Sequence, residues 1–306
     1  MKKLKKTGIL VSGLLLLCAL ILQSCNTDDS INLTPVEFAV LEGKKGLGVT
    51  AISTNNWRTK VENTNVAWHY SWGNKLPEAE PAGVEFIPMI WGGNNPDKFL
   101  EKIANVEVLK ADGTANYLLG FNEPDGKDQS NMTVDTAIER WPQMEALALP
   151  LGSPATVSVT NEWMQTFMHK ADSLNYRIDF VAMHWYGSNG PGDGGNPENL
   201  DPAIVRNHVT KLISIVKEAY KMYGRPIWIT EFAPAHWGTN TPSESKFSKE
   251  YCLEFMKQAL HRLDAMEFVH KYAWFSASID SGHLGNAALY DYEGNLTVLG
   301  EYYMSH

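Results

Sequence analysis

Cysteine is scarce in this chain, with three among 306 residues. Cys18 falls in an apolar run near the N-terminus and Cys25 just after it, which leaves Cys252 alone in the body of the sequence. A single thiol excludes an intramolecular disulfide there, so a packed core must carry the stability. Positive charge is short as well: 26 Lys and Arg stand against 35 Asp and Glu. That balance argues against nucleic acid or anionic lipid as an electrostatic partner. Three signatures are missing too. No G-x-G-x-x-G loop follows the first apolar run of the body, no H-E-x-x-H pairs histidines for zinc, and no G-x-S-x-G elbow presents a serine. Asp125, Asp128 and Asn131 cluster without the glycine and closing glutamate of a calcium loop, and are expected to form a solvated acidic turn. Neither metal nor cofactor is expected.

The one long apolar run covers residues 8–22, after four lysines among residues 1–6, and ends in Leu22-Gln23-Ser24-Cys25. A charged start, an apolar middle and a short polar stop describe a removable signal segment rather than a membrane span. The Leu-x-small-Cys ending is similar to a bacterial lipobox, which implies lipid on Cys25. The expected organisation is a signal peptide at 1–24, a lipid-linked tether at 25–42 and one folded domain at 43–306. An outer-membrane lipoprotein follows, facing the cell surface or the periplasm, membrane-bound only through its anchor and monomeric. Losing residues 1–24 removes four lysines and no acid, leaving 22 basic against 35 acidic residues, a balance of −13.

Eight short apolar runs recur in the body, at residues 47–51, 66–72, 84–91, 117–121, 151–157, 180–186, 226–230 and 272–277. Helical spacing fills several intervals. Val205, Val209, Leu212, Val216 and Tyr220 share a face of residues 203–223, and Cys252, Phe255, Met256, Ala259 and Leu263 a face of residues 248–266. Residues 161–173 and 135–149 are shorter helical candidates, the second acceptable if Pro142 lies in its first turn. No repeat or linker interrupts the pattern. It predicts an α/β fold, a single-domain (β/α)8 TIM barrel, with a doubly wound open sheet as the alternative.

Chemistry in such a barrel gathers at the C-terminal ends of the strands. The fourth run, Tyr117-Leu118-Leu119-Gly120-Phe121, ends in Asn122-Glu123-Pro124-Asp125, and the seventh ends in Thr230-Glu231-Phe232. A lone glutamate before a proline is most simply a turn residue in water. Two glutamates, each closing a strand of one barrel, form a candidate pair for glycosidic bond cleavage. One protonates the leaving oxygen while the other, ionised, attacks the anomeric carbon; retention needs them about 5–5.5 Å apart. Tryptophans at neighbouring strand ends suit the apolar C–H faces of sugars.

The stretches Gly120-Phe121-Asn122-Glu123-Pro124-Asp125, Met183-His184-Trp185-Tyr186-Gly187 and Trp228-Ile229-Thr230-Glu231-Phe232 resemble glycoside hydrolase family 128 (the Asl1-like glycosyl hydrolase catalytic core), β-1,3-glucanases of the retaining clan A. Lys44-Lys45-Gly46-Leu47-Gly48, Trp68-His69-Tyr70-Ser71-Trp72 and Phe86-Ile87-Pro88-Met89-Ile90-Trp91-Gly92 are similar to its first three strands. The resemblance implies that Glu123 is the acid/base and Glu231 the nucleophile. It further implies that Asn122 binds the sugar 2-hydroxyl, that Tyr186 donates to Glu231 and that His184 lies beside the acid/base. Trp72, Trp91 and Trp274 would be sugar platforms, and Tyr70 a further substrate contact or part of the core. Alternation points Trp185 outward into the helix layer.

The function expected is therefore an exported, retaining β-1,3-glucan hydrolase. A clan A hydrolase of another β-glycan, such as β-mannan or β-1,4-glucan, is the alternative. A non-catalytic surface glycan-binding lipoprotein is the third reading, against which the intact glutamate pair speaks. Residues 187–197, rich in glycine and proline, are expected to rise above the active-site face beside His184. Lacking a large apolar residue to form a plug, they point to an open groove and endo cleavage.

Overall fold

The computed structural model describes residues 43–279 and 283–306; the expected signal segment, Cys25 and the tether lie outside the described residues. Among the described residues six strands form one parallel sheet: β1 (Lys45–Gly48), β2 (Trp68–Tyr70), β3 (Glu85–Phe86), β4 (Val181–Tyr186), β5 (Ile227–Ala233) and β6 (Val269–Trp274). Their spatial order is β3-β2-β1-β6-β5-β4. The fourth and fifth apolar runs link the two edges through isolated parallel bridges, Met89 with Leu119, Leu118 with Leu151, Asn122 with Ala155 and Gly152 with Phe180. The fold is a single-domain parallel α/β architecture of the (β/α)8 kind, regular through six strands and bridged through two. Proline explains the interruption. Pro88 and Pro150 accept from Leu119 and Leu118, but neither they nor Pro124 and Pro154 have an N–H to return.

Among the described residues seven α-helices surround the strands: α1 (Trp57–Asn63), α2 (Pro96–Ala111), α3 (Val134–Ala146), α4 (Glu162–Ser173), α5 (Pro202–Tyr223), α6 (Lys249–Asp264) and α7 (Val298–Ser305). Helix α2 carries its own start signal, since Asn95 caps it by accepting from Lys98 N and Pro96 opens the first turn. Pro142 lies well inside α3, not in its first turn. The buried Ala137, Trp141 and Met144 hold that helix together across the missing hydrogen bond.

Alternation along the strands creates two cores. Trp68, Tyr70, Met89, Leu119, Phe180 and Trp228 pack inside the barrel, whereas most other buried residues pack between strands and helices. The last strand starts at Val269, three residues before the expected run. Its polar look in sequence comes from Lys271, which is buried with its ammonium 5.5 Å from the Trp68 ring and 5.2 Å from the Trp228 ring. Burial pushes that amine down to about 8 although Glu85 favours its charge.

Candidate active site

Glu123 follows the fourth extended segment in a left-handed backbone, at φ 40°. That conformation is unfavourable for a residue with a Cβ and persists only when its surroundings impose it. They do: Asn122 N donates to Trp91 O at 2.9 Å on one side, and Glu123 N donates to Ala155 O at 2.7 Å on the other. Asp125 anchors the following turn, accepting from Val157 N at 3.0 Å and from Asn161 Nδ2 at 2.6 Å. It thus ties this turn to residues 157–161 rather than sitting in a solvated acidic loop.

Glu231 arrives on β5, where the pairing register slips between Met183 and His184 on one side and between Ile229 and Phe232 on the other. Such bulges re-aim side chains at strand ends. The Glu231 carboxylate is buried and well supplied with donors. Trp72 Nε1 donates to its Oε1 at 2.7 Å, Tyr186 O–H donates to its Oε2, and Tyr70 O–H stands 3.3 Å from Oε1. Burial and the nearby Glu231 charge hold the Tyr70 and Tyr186 hydroxyls well above the usual phenol range, so both stay protonated as donors.

His184 joins the two glutamates. Its Nδ1 lies 2.9 Å from Glu123 Oε1, while its Nε2 lies 3.4 Å from Glu231 Oε1, too far for a hydrogen bond of good geometry. Burial disfavours the imidazolium. The Glu231 charge, the Glu123 hydrogen bond and the Glu123 and Asp125 charges outweigh that cost and raise its pKa above the ordinary histidine value. One ligand atom from each of Glu123, His184 and Glu231 lies within 4.8 Å of the others, close enough in principle for a cation. His184 Nδ1 and Glu123 Oε1 engage each other and the Glu231 oxygens engage Trp72 and Tyr186, while His184 Nε2 has no hydrogen-bond partner among the described residues.

The three residues line a groove of about 1210 Å³. Trp72, Trp91, Phe275 and Trp237 line it, and Gly187 to Gly190 edge it beside helix α5. The glycine-rich loop is tied down. Asp193, buried, accepts from Gly195 N at 3.0 Å, from Ser248 N at 3.1 Å and from Ser248 Oγ at the cap of α6. Lys246 Nζ donates to Ser188 O at 2.7 Å. Gly187 and Gly190 press on the His208 ring so closely that a Cβ on either would meet it at 2.3 and 2.2 Å. Burial drives His208 down to about 4, neutral where the loop packs against it.

A family model described as glycosyl hydrolase catalytic core matches residues 46–303. The chain belongs to that family. It is a glycoside hydrolase, which the two glutamates in a sugar-sized groove suit. Among curated proteins it is 27% identical over 275 residues to alkali-sensitive linkage protein 1 of Schizosaccharomyces pombe, covering 87% of this chain and 45% of that one. The chain therefore spans about half the length of that relative. Among solved structures it resembles a family 128 subgroup I endo-β-1,3-glucanase from Amycolatopsis mediterranei in complex with laminarihexaose. The identity is 29% and the TM-score 0.69, over 86% of this chain and 99% of that one. It also resembles a family 128 subgroup III curdlan-specific exo-β-1,3-glucanase from Blastomyces gilchristii in complex with glucose. There the identity is 29% and the TM-score 0.61, over 86% and 98% of the two chains.

In this glycoside hydrolase Asn122, Glu123, His184, Tyr186, Glu231, Trp72 and Trp91 all line the groove. Two expected sugar contacts do not. Trp274 is fully buried, donates Nε1–H to Ala287 O at 2.7 Å and packs on Phe232 at 5.2 Å. Strand alternation puts it in the helix layer, and its neighbour Phe275 takes the groove side. Tyr70 is also fully buried, inside the barrel, where its O–H donates to Thr230 O at 2.9 Å behind Glu231. Trp185 faces outward as alternation predicts, stacking on Phe255 at 5.6 Å. The sequence reading missed Trp237 and Gln129. Trp237 is 48% exposed at the groove rim and packs edge-on against Tyr186 at 5.2 Å. Its only sequence signal is an aromatic a few residues beyond a strand-end glutamate. Gln129 accepts weakly from Asn122 Nδ2 at 3.4 Å and also lines the groove.

Proposed function

We propose that the chain is a retaining hydrolase of β-1,3-glucan that cuts within the polymer. The observation that carries the mechanism is the close approach of Glu123 and Glu231, one oxygen of each within 4.8 Å. So close an approach suits direct attack, with about 5–5.5 Å between carboxyl groups, better than the roughly 6.5–9.5 Å of an inverting pair. Glu123 gives its proton to the glycosidic oxygen as Glu231 attacks the anomeric carbon. The aglycone leaves, and Glu123 then takes a proton from the water that releases the sugar from Glu231. In this reading Asn122 accepts from the 2-hydroxyl of the sugar being cleaved, which its buried Oδ1, unpartnered among the described residues, supports.

The substrate class rests on the glucanases that share this fold, whose structures hold laminarin oligosaccharides or glucose. The groove exceeds the roughly 300–1,000 Å³ of ordinary small-ligand pockets, which favours several sugar units. The tied loop runs beside it with only small residues toward it, which favours internal cleavage. An assay on laminarin, mixed-linkage glucan, mannan and cellulose should give product from laminarin first. Early products should be mixed oligosaccharides with a rapid fall in polymer length. Release of a single mono- or disaccharide from nearly full-length polymer would overturn the endo reading, and turnover of mannan or cellulose alone would overturn the substrate. We also propose that the enzyme works outside the cytoplasm, held by lipid on Cys25. Mass spectrometry of the mature N-terminus should find an acylated Cys25, and a free, unmodified one would rule this out.

A further inference from the structure

The resemblance assigns Trp72 to sugar stacking, but its geometry serves Glu231. It follows β2 in a left-handed backbone at φ 57°, unfavourable for a bulky residue and therefore held by its packing. The ring is wedged against Tyr70 at 4.9 Å and Phe275 at 5.6 Å. Gly48 leaves it room: a Cβ there would stand 3.1 Å from Trp72 Cη2. So placed, the indole N–H points at Glu231 Oε1 across 2.7 Å.

The other candidate donors to that oxygen are weaker. Tyr70 has one proton and a nearer acceptor, Thr230 O at 2.9 Å against 3.3 Å for Glu231. His184 Nε2 stands off at 3.4 Å. Tyr186 serves the other oxygen. Each Glu231 oxygen thus has one close neutral donor, and the two together stop the carboxylate from rotating. Neither of these two donors carries a charge; the charge facing Glu231 comes from His184, whose Nε2 stands 3.4 Å from Oε1 and which holds its proton above the ordinary histidine range. An indole N–H only donates, and it does not titrate in water.

We propose that Trp72 is a positioning residue for the nucleophile: it fixes the attacking carboxylate of Glu231 through a single N–H, and sugar stacking is secondary to that role. The inference rests on Glu231 being the nucleophile. Two variants of the full chain test it, Trp72→Phe and replacement of Trp72 by 3-benzothienylalanine, which keeps the bicyclic shape and exchanges N–H for sulfur. Each is treated with 2,4-dinitrophenyl 2-deoxy-2-fluoro-β-laminaribioside, an activated sugar that labels a retaining nucleophile and reacts further only slowly. The expected result is full labelling of Glu231 in every protein. The maximal labelling rate should fall roughly 10- to 100-fold in both variants, as for loss of a hydrogen bond to a charged group, with little change in the reagent concentration giving half that rate. Labelling stoichiometry counts active sites, so misfolded protein cannot imitate a slower rate. Glu231 labelled at the wild-type rate in the benzothienyl variant, with weaker reagent binding in the phenylalanine variant, overturns this inference alone and restores the platform role. Label on another residue of the unaltered protein overturns the nucleophile assignment and this inference with it.

Discussion

Replacing Glu231 by Gln is expected to lower turnover of glucan by roughly 10⁴-fold or more, as loss of a nucleophile does in other covalent mechanisms. The amide keeps the size of the carboxylate but cannot form the glycosyl ester. The side chain is 6% exposed and accepts from Trp72 and Tyr186, so the substitution also alters a buried polar cluster. Gln retains one oxygen for Trp72 or Tyr186, which keeps the expected loss of stability to about 1–3 kcal/mol, and thermal unfolding measures it. Glu231→Gly leaves a space in place of the nucleophile. Azide should enter it and attack an activated β-glycoside from the face Glu231 occupied, giving an α-glycosyl azide. Wild-type turnover in Glu231→Gln, or a β-azide from Glu231→Gly, would sink the nucleophile assignment.

Glu123→Gln is expected to separate two substrates that the intact enzyme treats alike. A glucan leaving group needs its proton, and general acid help is worth roughly 10²–10⁴-fold, so hydrolysis of polymer should fall by that range. An activated aryl glycoside leaves without protonation, and formation of its glycosyl–enzyme should be far less affected. The pH profile adds a second readout. His184 holds its proton above the ordinary histidine range because Glu231 and Glu123 face it, with Asp125 beyond. His184 therefore keeps its proton to higher pH than an ordinary imidazole, with its Nδ1 2.9 Å from the acid/base oxygen Glu123 Oε1. It loses that proton as pH rises past the ordinary histidine range, and kcat/KM on polymer should decline there. On the aryl glycoside that decline should disappear in Glu123→Gln. Equal losses on both substrates, or an unchanged alkaline decline, would show that another group supplies the proton.

The two glutamates were legible because of where they stand rather than what they are. Each interrupts an apolar run at its C-terminal end, and in a parallel barrel all such ends share one face. The aromatic residues were harder to read, since a tryptophan near a strand end looks the same whichever way it points. Trp274 and Phe275 are adjacent, and one step along a strand exchanges the helix layer for the groove. The apolar pattern, which set the expected start of the last strand, was misled by Lys271, whose charge disguised a strand position buried inside the barrel.

Composition, run lengths and the placement of polar residues at strand ends were enough to determine the fold class and which carboxylates come together. Both follow from periodicities of two and 3.6 residues, which act over a few neighbours and are written along the chain. Tertiary structure alone decided what the carboxylates touch. The left-handed turns at Trp72 and Glu123, the register slips beside Glu231 and His184, and the indole N–H on Glu231 Oε1 depend on elements distant in sequence. Backbone strain at a single residue is held only by packing from such elements, and no local pattern encodes it.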